Sequence, residues 1–382
     1  MAEPRSFTLG EVTENYDSYR IPVRAADRVP GPYPYYGASG IVDHVSDYLF
    51  EGDYLLIAED GENLRTRKTP VAFMASGKFW VNNHAHVVRG NEFASTKYLA
   101  YALSQTDISG YLSGSTQPKL TQDAMNRMRV LLPERRYQDA VVAVLGALDE
   151  KVAVNHCTAG TILVLAQAEY DHAAATGSWR TLPMGESARW LSGGTPSTTD
   201  SSYWDGDIPW ISALSLKSPW ISESDRKVTS LGVENGTRLV PKNTIIFVVR
   251  GSSLDTEFRV GLTQREVAFG QDCKALIAGD DIDPAVLFLA IRSRSSDVLK
   301  LVDHAGHGAG RLATDLITKV HVRVPGQSPP SSISHLQNLV DLGARIEIET
   351  RILEELRDTL LPSLMSGKLR VRDAERIVED AT

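Results

Sequence analysis

Two stretches of the chain carry apolar residues at alternating steps of four and three. In the first stretch these positions are Val141, Leu145, Leu148, Val152, Ala159, Ile162 and Ala166, with Asn155 in the one polar gap. In the second they are Leu339, Leu342, Ile346, Leu353, Leu356 and Leu360, with Glu349 in the gap. This spacing is a heptad repeat, which predicts two long helices that pack as a left-handed coil. Two ordinary amphipathic surface helices are the alternative interpretation.

The segments that precede the two stretches resemble each other. Gly114, Lys119, Leu120, Asp123 and Pro133 recur as Gly306, Arg311, Leu312, Asp315 and Pro325, all at an offset of 192 residues. Further upstream, GDYLLIAEDG at Gly52 resembles KNTIIFVVRG at Lys242, and both are apolar strand patterns that end in a Gly-containing turn. The chain is therefore predicted to be an internal duplication, with short strands and turns in each half and a long helix after each.

The predicted fold class is α+β, with two globular domains in an internal duplication, separated by two long antiparallel coiled-coil helices. The predicted boundaries are 1–133 for the first domain, 134–178 for the first long helix, 179–327 for the second domain, 328–369 for the second long helix and 370–382 for a C-terminal tail. The tail is short and mostly charged, so we expect it to be frayed or peripheral.

Composition adds two constraints to this picture. Hydrophobic residues make up 42% of the 382 residues and charged residues 23%, which is ordinary globular usage. The net charge is −8, but residues 1–133 carry −2 and residues 179–327 carry 0, so either domain can bind DNA if its basic residues share one face. The N-terminus lacks an apolar signal segment and no apolar stretch is long enough to span a bilayer, which predicts a cytoplasmic protein.

No catalytic motif stands out. The sequence lacks a Gly-x-x-x-x-Gly-Lys-Ser/Thr phosphate loop and an Asn-Pro-Pro-Tyr/Phe base-methylation motif. The run Gly306–Gly310 is rich in glycine, but it does not follow a buried strand of a βαβ unit. A flexible loop is therefore favoured over a cofactor site at Gly306–Gly310. An enzyme with an unrecognised active site stays open as an alternative.

Metal ligands are also sparse. His84 with His86, and His304 with His307, have no third ligand at a useful spacing, so surface polarity is the favoured interpretation of both pairs. The two cysteines, Cys157 and Cys273, form neither a disulfide framework nor a metal motif. We therefore predict no catalytic residue, no metal site and no cofactor in this chain.

Aromatic and hydroxyl-bearing residues cluster in loops at corresponding places in the two halves. These loops are Tyr33–Gly40 in the first half, and Thr195–Asp200 with Tyr203–Trp210 in the second. Hydroxyls and amides on such turns suit hydrogen bonds to phosphates and base edges, and aromatic rings stack on exposed bases. For Trp204 and Trp210, a role in fixing the loop to the domain is an equal alternative.

Three strings of residues in the sequence resemble a known family. LSGGTPSTTDSSYWDGDIPWIS at Leu191 closely resembles the start of a target-recognition domain in the DNA specificity subunits of type I restriction–modification systems. YYGASGI at Tyr35 resembles another version of that domain, and LLPSLMSGKLRV at Leu360 resembles the usual end of the distal helix. With the duplication, the resemblance covers nearly the whole chain.

The resemblance implies a non-catalytic subunit whose two target-recognition domains each read half of a bipartite target in double-stranded DNA. It implies two methyltransferase subunits and motor-nuclease subunits as partners, with S-adenosylmethionine, ATP and magnesium bound by those partners. A paired helix of roughly 30 residues would be about 45 Å long, a little more than one ~34 Å turn of DNA, which suits a split target. The specificity subunit of a modification-only or other phage-defence complex is one alternative, and a coiled-coil scaffold that binds only protein is another.

Side chains on loops read base edges, and basic groups hold phosphates. The predicted DNA-binding residues are Tyr35, Tyr36, Ser39, Asn63, Arg65, Asn82 and Lys119 in the first domain and Thr195, Ser197, Tyr203, Lys217, Arg250, Ser252 and Arg311 in the second. Arg250 is the strongest candidate, because it follows the strand TIIFVV and precedes Gly251. An ion pair of Arg250 with Asp255 or Glu257 is the alternative.

Overall fold

The computed structural model describes residues 4–114, 116–304, 309–326 and 332–381. The chain divides into unit 1, which consists of Met1–Lys151 and Leu353–Thr382, and unit 2, which consists of Val152–Ile352. Each unit contains one β-rich lobe and part of each long helix. The predicted α+β class, with two lobes and two long helices, is confirmed. Gly306, His307 and Gly308 of the predicted flexible loop lie outside the described residues.

The lobe of unit 1 consists of short strands and short helices. Its strands are β1 (Arg5–Thr8), β2 (Thr13–Asn15), β3 (Pro30–Gly37), β4 (Gly40–Val45), β5 (Phe50–Glu51), β6 (Tyr54–Ala58), β7 (Ala72–Ala75), β8 (Lys78–Val81), β9 (Ala85–Gly90) and β10 (Arg129–Leu132). Its helices are α1 (Leu9–Val12), α2 (Asn63–Thr66), α3 (Thr96–Gln105) and α4 (Gln122–Arg127), followed by the long helix α5 (Arg135–Thr176). The strands form the pair β1-β10 and two sheets in the orders β2-β9-β6-β7 and β4-β3-β8-β5.

The lobe of unit 2 has the same kind of composition. Its strands are β11 (Trp179–Pro183), β12 (Ala188–Ser192), β13 (Trp204–Ile211), β14 (Trp220–Ile221), β15 (Lys227–Val228), β16 (Leu239–Val240), β17 (Ile245–Val248), β18 (Arg250–Gly251), β19 (Val260–Thr263), β20 (Val267–Phe269), β21 (Cys273–Ala278), β22 (Val302–Asp303), β23 (Gly310–Leu312) and β24 (His321–Pro325). Its helices are α6 (Met184–Ser187), α7 (Ser230–Gly236), α8 (Pro284–Arg292), α9 (Ser295–Leu299) and α10 (Thr314–Ile317). The chain ends with α11 (Ser332–Met365) and α12 (Val371–Ala381).

The two lobes repeat one strand arrangement, as the internal duplication predicts. The order β2-β9-β6-β7 in unit 1 corresponds to β12-β21-β17-β19 in unit 2. The central strands β6 and β17 are continuous apolar runs, and such runs favour strands covered on both faces. A parallel pair also recurs, because β3 places Tyr35 opposite Trp80 of β8 and β13 places Trp210 opposite Ala268 of β20.

The long helices α5 and α11 pack against each other in an antiparallel direction. In unit 1, the Tyr137 hydroxyl donates to the Leu364 carbonyl at 3.2 Å, and further along α5 the Asp149 carboxylate pairs with Arg357 at 3.0 Å. Residue numbers thus rise on α5 as they fall on α11. All eight predicted heptad positions of α5, including the polar Asn155, are buried.

On α11, the predicted heptad positions Leu342 and Glu349 are wrong, and both lie in the part that belongs to unit 2. Leu342 is 45% exposed there, and its neighbour Gly343 is buried instead. The reason is the Trp220 ring, which approaches so closely that a Cβ on Gly343 would lie 2.2 Å from it. The buried polar position is Thr350 rather than Glu349. A side chain from the lobe therefore determines the rotation of this part of α11.

The C-terminal tail forms helix α12, so the prediction of a frayed end is wrong, whereas most of the helix is exposed, as a peripheral position predicts. Val371, Ala374 and Val378 are spaced at three and four residues between the charged ones, and Ala374 is fully buried. This spacing gives the short helix one inward face. Val371 also lines a cavity together with Pro133 and Tyr137 at the start of α5.

Candidate nucleic-acid interface

A short row of polar side chains lies at one end of the lobe in unit 1. Asp60 follows strand β6 and forms an antiparallel bridge with Lys119, which forms a second bridge with Ser113. We call these three residues row 1. Lys119 is exposed, so the row is accessible from solvent.

A corresponding row lies in unit 2. Strand β18 places Arg250 opposite Arg311 of β23, and β22 places Asp303 on the other side of Arg311. We call these three residues row 2. Side chains directly opposite each other on antiparallel strands lie about 4.5–5.5 Å apart at Cβ, so two like charges there destabilise the strand pair.

Backbone hydrogen bonds show that the two rows are equivalent. In unit 1, the Glu59 amide donates to the His84 carbonyl at 2.9 Å, and the Glu59 carbonyl accepts from the Leu120 amide at 2.8 Å. In unit 2, the Val249 amide donates to the Asp272 carbonyl at 2.8 Å, and the Val249 carbonyl accepts from the Leu312 amide at 2.9 Å. Asp60 therefore has the same position as Arg250, and Lys119 the same position as Arg311.

The charges of row 1 are balanced within the lobe. The Lys119 ammonium lies 3.2 Å from Glu59 Oε1, and Arg20 Nη1 lies 2.8 Å from Glu59 Oε2. The Asp60 carboxylate lies 2.7 Å from Nδ1 of His84. Row 1 is thus a nearly neutral surface.

Behind row 1 lies a buried polar cluster around His86. Its Nε2 donates to the Leu120 carbonyl at 2.8 Å, and its Nδ1 lies 2.6 Å from Asp17 Oδ2. Surface polarity is therefore the wrong interpretation of His86. The apolar neighbours Ala85, Val87 and Val88 on β9 are the sequence signal that indicates its burial.

The carboxylates of this cluster are held in their charged form. Burial alone raises the pKa of Asp17, but the hydrogen bond and charge of His86, with the Val87 amide and Arg20, outweigh it and leave the pKa below its ordinary value. The pKa of Glu59 is lowered in the same way, because Arg20, His86 and Lys119 outweigh its burial.

Row 2 carries excess positive charge. The Arg250 side chain is 54% exposed, and its Nη1 lies 4.0 Å from Asp272 Oδ1, at the limit of an ion pair. Among the described residues, no carboxylate lies within that distance of the Arg311 guanidinium. The two opposed arginines, with Asp303 in register beside Arg311 and Asp272 at 4.0 Å from Arg250, present exposed N–H groups suited to an anion or to a base edge rich in acceptors.

The alternative partners considered for Arg250 are engaged elsewhere. Asp255 lies 3.3 Å from Nδ1 of His304, and Glu257 lies 2.9 Å from the Arg259 guanidinium. Asp255 and Glu257, the examples given for the alternative of a nearby acidic partner, therefore do not pair with Arg250, and the nearby acid that it approaches is Asp272, at 4.0 Å.

Two predicted residues of the first domain are buried. Tyr35 is 1% exposed, and its hydroxyl accepts a hydrogen bond from the Val23 amide at 2.9 Å. Asn82 is also buried, and its Oδ1 accepts from the His84 amide at 2.8 Å. Both side chains are thus buried and bonded within the lobe, which argues against a contact of either with DNA.

The other predicted residues of unit 1 divide into supporting and exposed ones. Tyr36 is half-buried against Phe79, and burial raises the pKa of its hydroxyl. Asn63 holds a loop through two 3.0 Å bonds to the backbone of Thr69. The exposed ones are Ser39 at the β3–β4 turn, Arg65, which donates to the Gly114 carbonyl at 2.8 Å, and Lys119 in row 1.

In unit 2, the structure brings Arg250, Ser252 and Arg311 together at row 2, and all three are exposed. Thr195 is half-buried and its hydroxyl donates to Gln271 beside Asp272, so it borders the same surface. The remaining three lie elsewhere on the lobe: Ser197 is exposed and bonded to Thr199 at 2.8 Å, Lys217 is exposed, and Tyr203 is half-buried with its carbonyl bonded to Thr229 at 3.0 Å.

Two of the predicted aromatic loops are strands. Tyr35 and Tyr36 lie on β3, and Trp204 and Trp210 lie on β13. The Trp204 indole N–H donates to the Ser197 carbonyl at 2.9 Å, so this tryptophan fixes the preceding loop to the lobe. A residue that the sequence analysis missed, Arg226, lies over these two indole rings.

The described ranges contain no group of three or more His, Cys, Asp or Glu side chains placed to hold a metal ion. Across the same ranges, no helix is both long enough and apolar enough to cross a membrane.

A family model described as the type I restriction modification DNA specificity domain matches residues 2–159. A putative type I restriction enzyme specificity subunit of Haemophilus influenzae is 34% identical over 172 residues, which are 43% of this chain and 43% of that protein. The EcoR124I/EcoR124II specificity subunit of Escherichia coli is 30% identical over 193 residues, 48% of this chain and 47% of that protein. The matched part thus spans less than half the length of these curated relatives.

A solved S subunit of a type I restriction–modification system from M. genitalium shares the fold, with a TM-score of 0.62 over 94% of this chain and 96% of that chain, at 16% identity. Duplicated α+β lobes and an antiparallel helix pair are thus the fold that the two chains share. Residues 2–159 are thus similar to the type I restriction modification DNA specificity domain, and the two curated specificity subunits share this similarity over less than half of the chain. The resemblance predicted from the sequence is therefore confirmed.

Proposed function

We propose that the chain is the non-catalytic subunit that reads a bipartite DNA target, with one half of the target read by each lobe. The observation that supports this most is the recurrence of rows 1 and 2 at the same backbone position in two duplicated lobes. Row 2 adds a second argument. Its opposed arginines repel each other and destabilise the strand pair, and an anionic partner would reduce this repulsion. The proposed target-recognition domains are 1–133 and 179–327, with 134–178 and 328–369 as the helices that connect them.

The proposed DNA contacts are made by those predicted residues whose side chains are exposed. Arg250 and Arg311 reach guanine edges or phosphates, and Ser39, Arg65, Lys119, Ser197, Lys217 and Ser252 supply further contacts. The half-buried Tyr36, Asn63, Thr195 and Tyr203 shape these surfaces from behind. This is the ordinary division in protein–DNA interfaces, in which a supporting layer orders the side chains that touch DNA.

The proposed partners are two methyltransferase subunits, held by the helix pair, and motor-nuclease subunits that join them. S-adenosylmethionine, ATP and magnesium then belong to those partners. The specificity subunit named in the E. coli relative and the S subunit named in the M. genitalium structure support this assignment.

The test begins with methylation-sensitive sequencing of a host that carries the chain together with a methyltransferase subunit of the same system. We expect one split motif, and specific binding of a duplex with that motif by the purified complex. Arg250→Ala should then weaken binding by about 1–3 kcal/mol and relax the preference at one position of one half-site if it reads a base. Arg250→Ala should instead weaken all sequences evenly if it holds a phosphate.

Two results would contradict the proposal. A complex that binds partner proteins but prefers no duplex over another would favour a protein-only scaffold. Methyl transfer by the chain alone, lost on substitution of one of its own residues, would show an active site here. The proteins that co-purify separate a restriction complex from a modification-only one.

A further inference from the structure

Arg226 is an exposed arginine whose orientation is fixed by two tryptophans. Its guanidinium carbon lies 3.7 Å from the ring centroid of Trp204 and 5.1 Å from that of Trp210. The two indoles meet edge to face, with centroids 5.4 Å apart. A planar cation at this distance from a ring is attracted by its π face, which holds the guanidinium in one plane.

The support under Arg226 is itself rigid. The indole N–H of Trp204 donates to the Ser197 carbonyl at 2.9 Å, and that of Trp210 donates to the Gly194 carbonyl at 3.1 Å. The Arg226 carbonyl accepts the Trp210 amide at 2.9 Å, so backbone and side chain are both tied to β13. Much of the side-chain entropy that an arginine loses on binding is therefore already lost in the free protein.

No carboxylate within the described residues neutralises Arg226. The nearby Glu223 contacts other cations, with Lys227 at 3.2 Å and Arg265 at 2.9 Å. Among residues 4–114, 116–304, 309–326 and 332–381, no ion pair within 4.0 Å involves the Arg226 side chain. The donors at its edge are therefore available to a ligand.

Unit 1 has the opposite charge at this position. Tyr35 of β3 lies opposite Asp43, as Trp210 of β13 lies opposite Arg226. There Asp43 pairs at 3.1 Å with Arg28, whose guanidinium lies 4.3 Å from the Tyr35 ring centroid. At this position an arginine thus lies on an aromatic ring in both lobes, but Arg28 is paired with Asp43 whereas Arg226 has no such partner among the described residues.

We propose that Arg226 is a specificity-determining residue of the second lobe and reads a guanine through the edge of its guanidinium. This inference rests on the proposed DNA-recognition function. A guanidinium whose face is covered by an indole presents its N–H groups in one plane, which matches the O6 and N7 acceptors of guanine. A phosphate accepts the same planar fork but carries no sequence information, so base preference is the measurement that separates a guanine contact from a phosphate contact.

The experiment measures base preference with the full chain in complex with its methyltransferase, on duplexes that carry every single-base change of the target motif. Arg226→Ala and Arg226→Lys are compared with the wild type, and Arg28→Lys is the matched control, because Arg28 also lies on a ring but is paired with Asp43. Thermal unfolding of each variant checks that the fold is intact.

We expect both Arg226 variants to lose about 10- to 100-fold of discrimination at one G·C pair of one half-site, since the lysine keeps the charge but not the planar edge. Arg28→Lys should leave every preference unchanged. An Arg226→Lys variant with the wild-type preference would overturn the inference, as would an even loss of affinity for all sequences. A wild-type complex without any sequence preference would instead refute the proposed function itself.

Discussion

The two lobes share a backbone and differ in charge. At the position after the central buried strand, unit 1 carries Asp60 and unit 2 carries Arg250. At the position beside the parallel strand pair, unit 1 carries Asp43 and unit 2 carries Arg226. Both acids of unit 1 are paired within their lobe, whereas the arginines of unit 2 have at most one distant carboxylate.

This difference shows which parts of the lobe are fixed and which vary. The amide-to-carbonyl bonds beside each row have lengths of 2.8–2.9 Å in both lobes, so the backbone positions the row whatever its side chains are. Side chains on such a frame can then change sign without a change of fold. Two lobes of one chain thereby gain different recognition surfaces.

The largest expected effect concerns the helix pair, whose part in unit 1 and part in unit 2 differ in which α11 positions are buried. Leu353 in unit 1 is 1% exposed, so Leu353→Asp should cost about 3–5 kcal/mol of unfolding free energy because it buries an unpaired charge. Leu342 in unit 2 is exposed, and Leu342→Asp should change that free energy by less than about 0.5 kcal/mol. Urea unfolding midpoints measure both, and equal losses would contradict the helix rotation described here.

A second substitution compares the supports of the two rows. His86 on β9 and Lys274 on β21 occupy equivalent positions, opposite Ile57 and Phe247 respectively. His86→Ala should cost about 3 kcal/mol, because it leaves a buried polar cluster incomplete. Lys274→Ala should cost less than about 0.5 kcal/mol, since within the described part of the chain this side chain bonds Ser192 alone, at 2.6 Å near the surface. Chemical unfolding of both variants is the measurement, and a silent His86→Ala would refute the role given to the cluster.

The smallest expected effect is a dependence of stability on acid. In the folded chain the pKa values of Asp17 and Glu59 lie below their ordinary values, so these carboxylates stabilise unit 1 above the unfolded pKa of about 4. That stabilisation is lost as the pH falls through the lowered folded pKa. Unfolding free energy measured from pH 6 to pH 3 should therefore fall less steeply in Asp17→Asn than in the wild type. Identical slopes would contradict the charged state assigned to Asp17.

The helices and the duplication could be predicted from the sequence because both depend on spacing. Apolar residues at steps of three and four predict the buried face of α5 without any knowledge of its partner. The same reasoning failed at Leu342, because the Trp220 indole comes from a strand more than a hundred residues earlier. No local pattern carries that contact.

The site residues were harder to predict for the same reason. Tyr35 belongs to a string that resembles a recognition loop, yet it is buried under Arg28, because β3 pairs with strands on both sides. Arg226 has no sequence signal of its own, and its orientation depends on two tryptophans that are 16 and 22 residues earlier in the chain. Residue type indicates which side chains are able to bind DNA, but only the register shows which ones are exposed.

The central claim, that the two equivalent rows face DNA with different charge, is tested most directly by the salt dependence of binding. The dissociation constant of the complex for its target duplex would be measured at several salt concentrations for the wild type, for Arg250→Ala combined with Arg311→Ala, and for Lys119→Ala. We predict that the double variant lowers the slope of log Kd against log salt by between about one and two and weakens binding at least about tenfold. Lys119→Ala should change both less, because Glu59 already holds its ammonium at 3.2 Å. A double variant with the affinity and slope of the wild type would contradict the account.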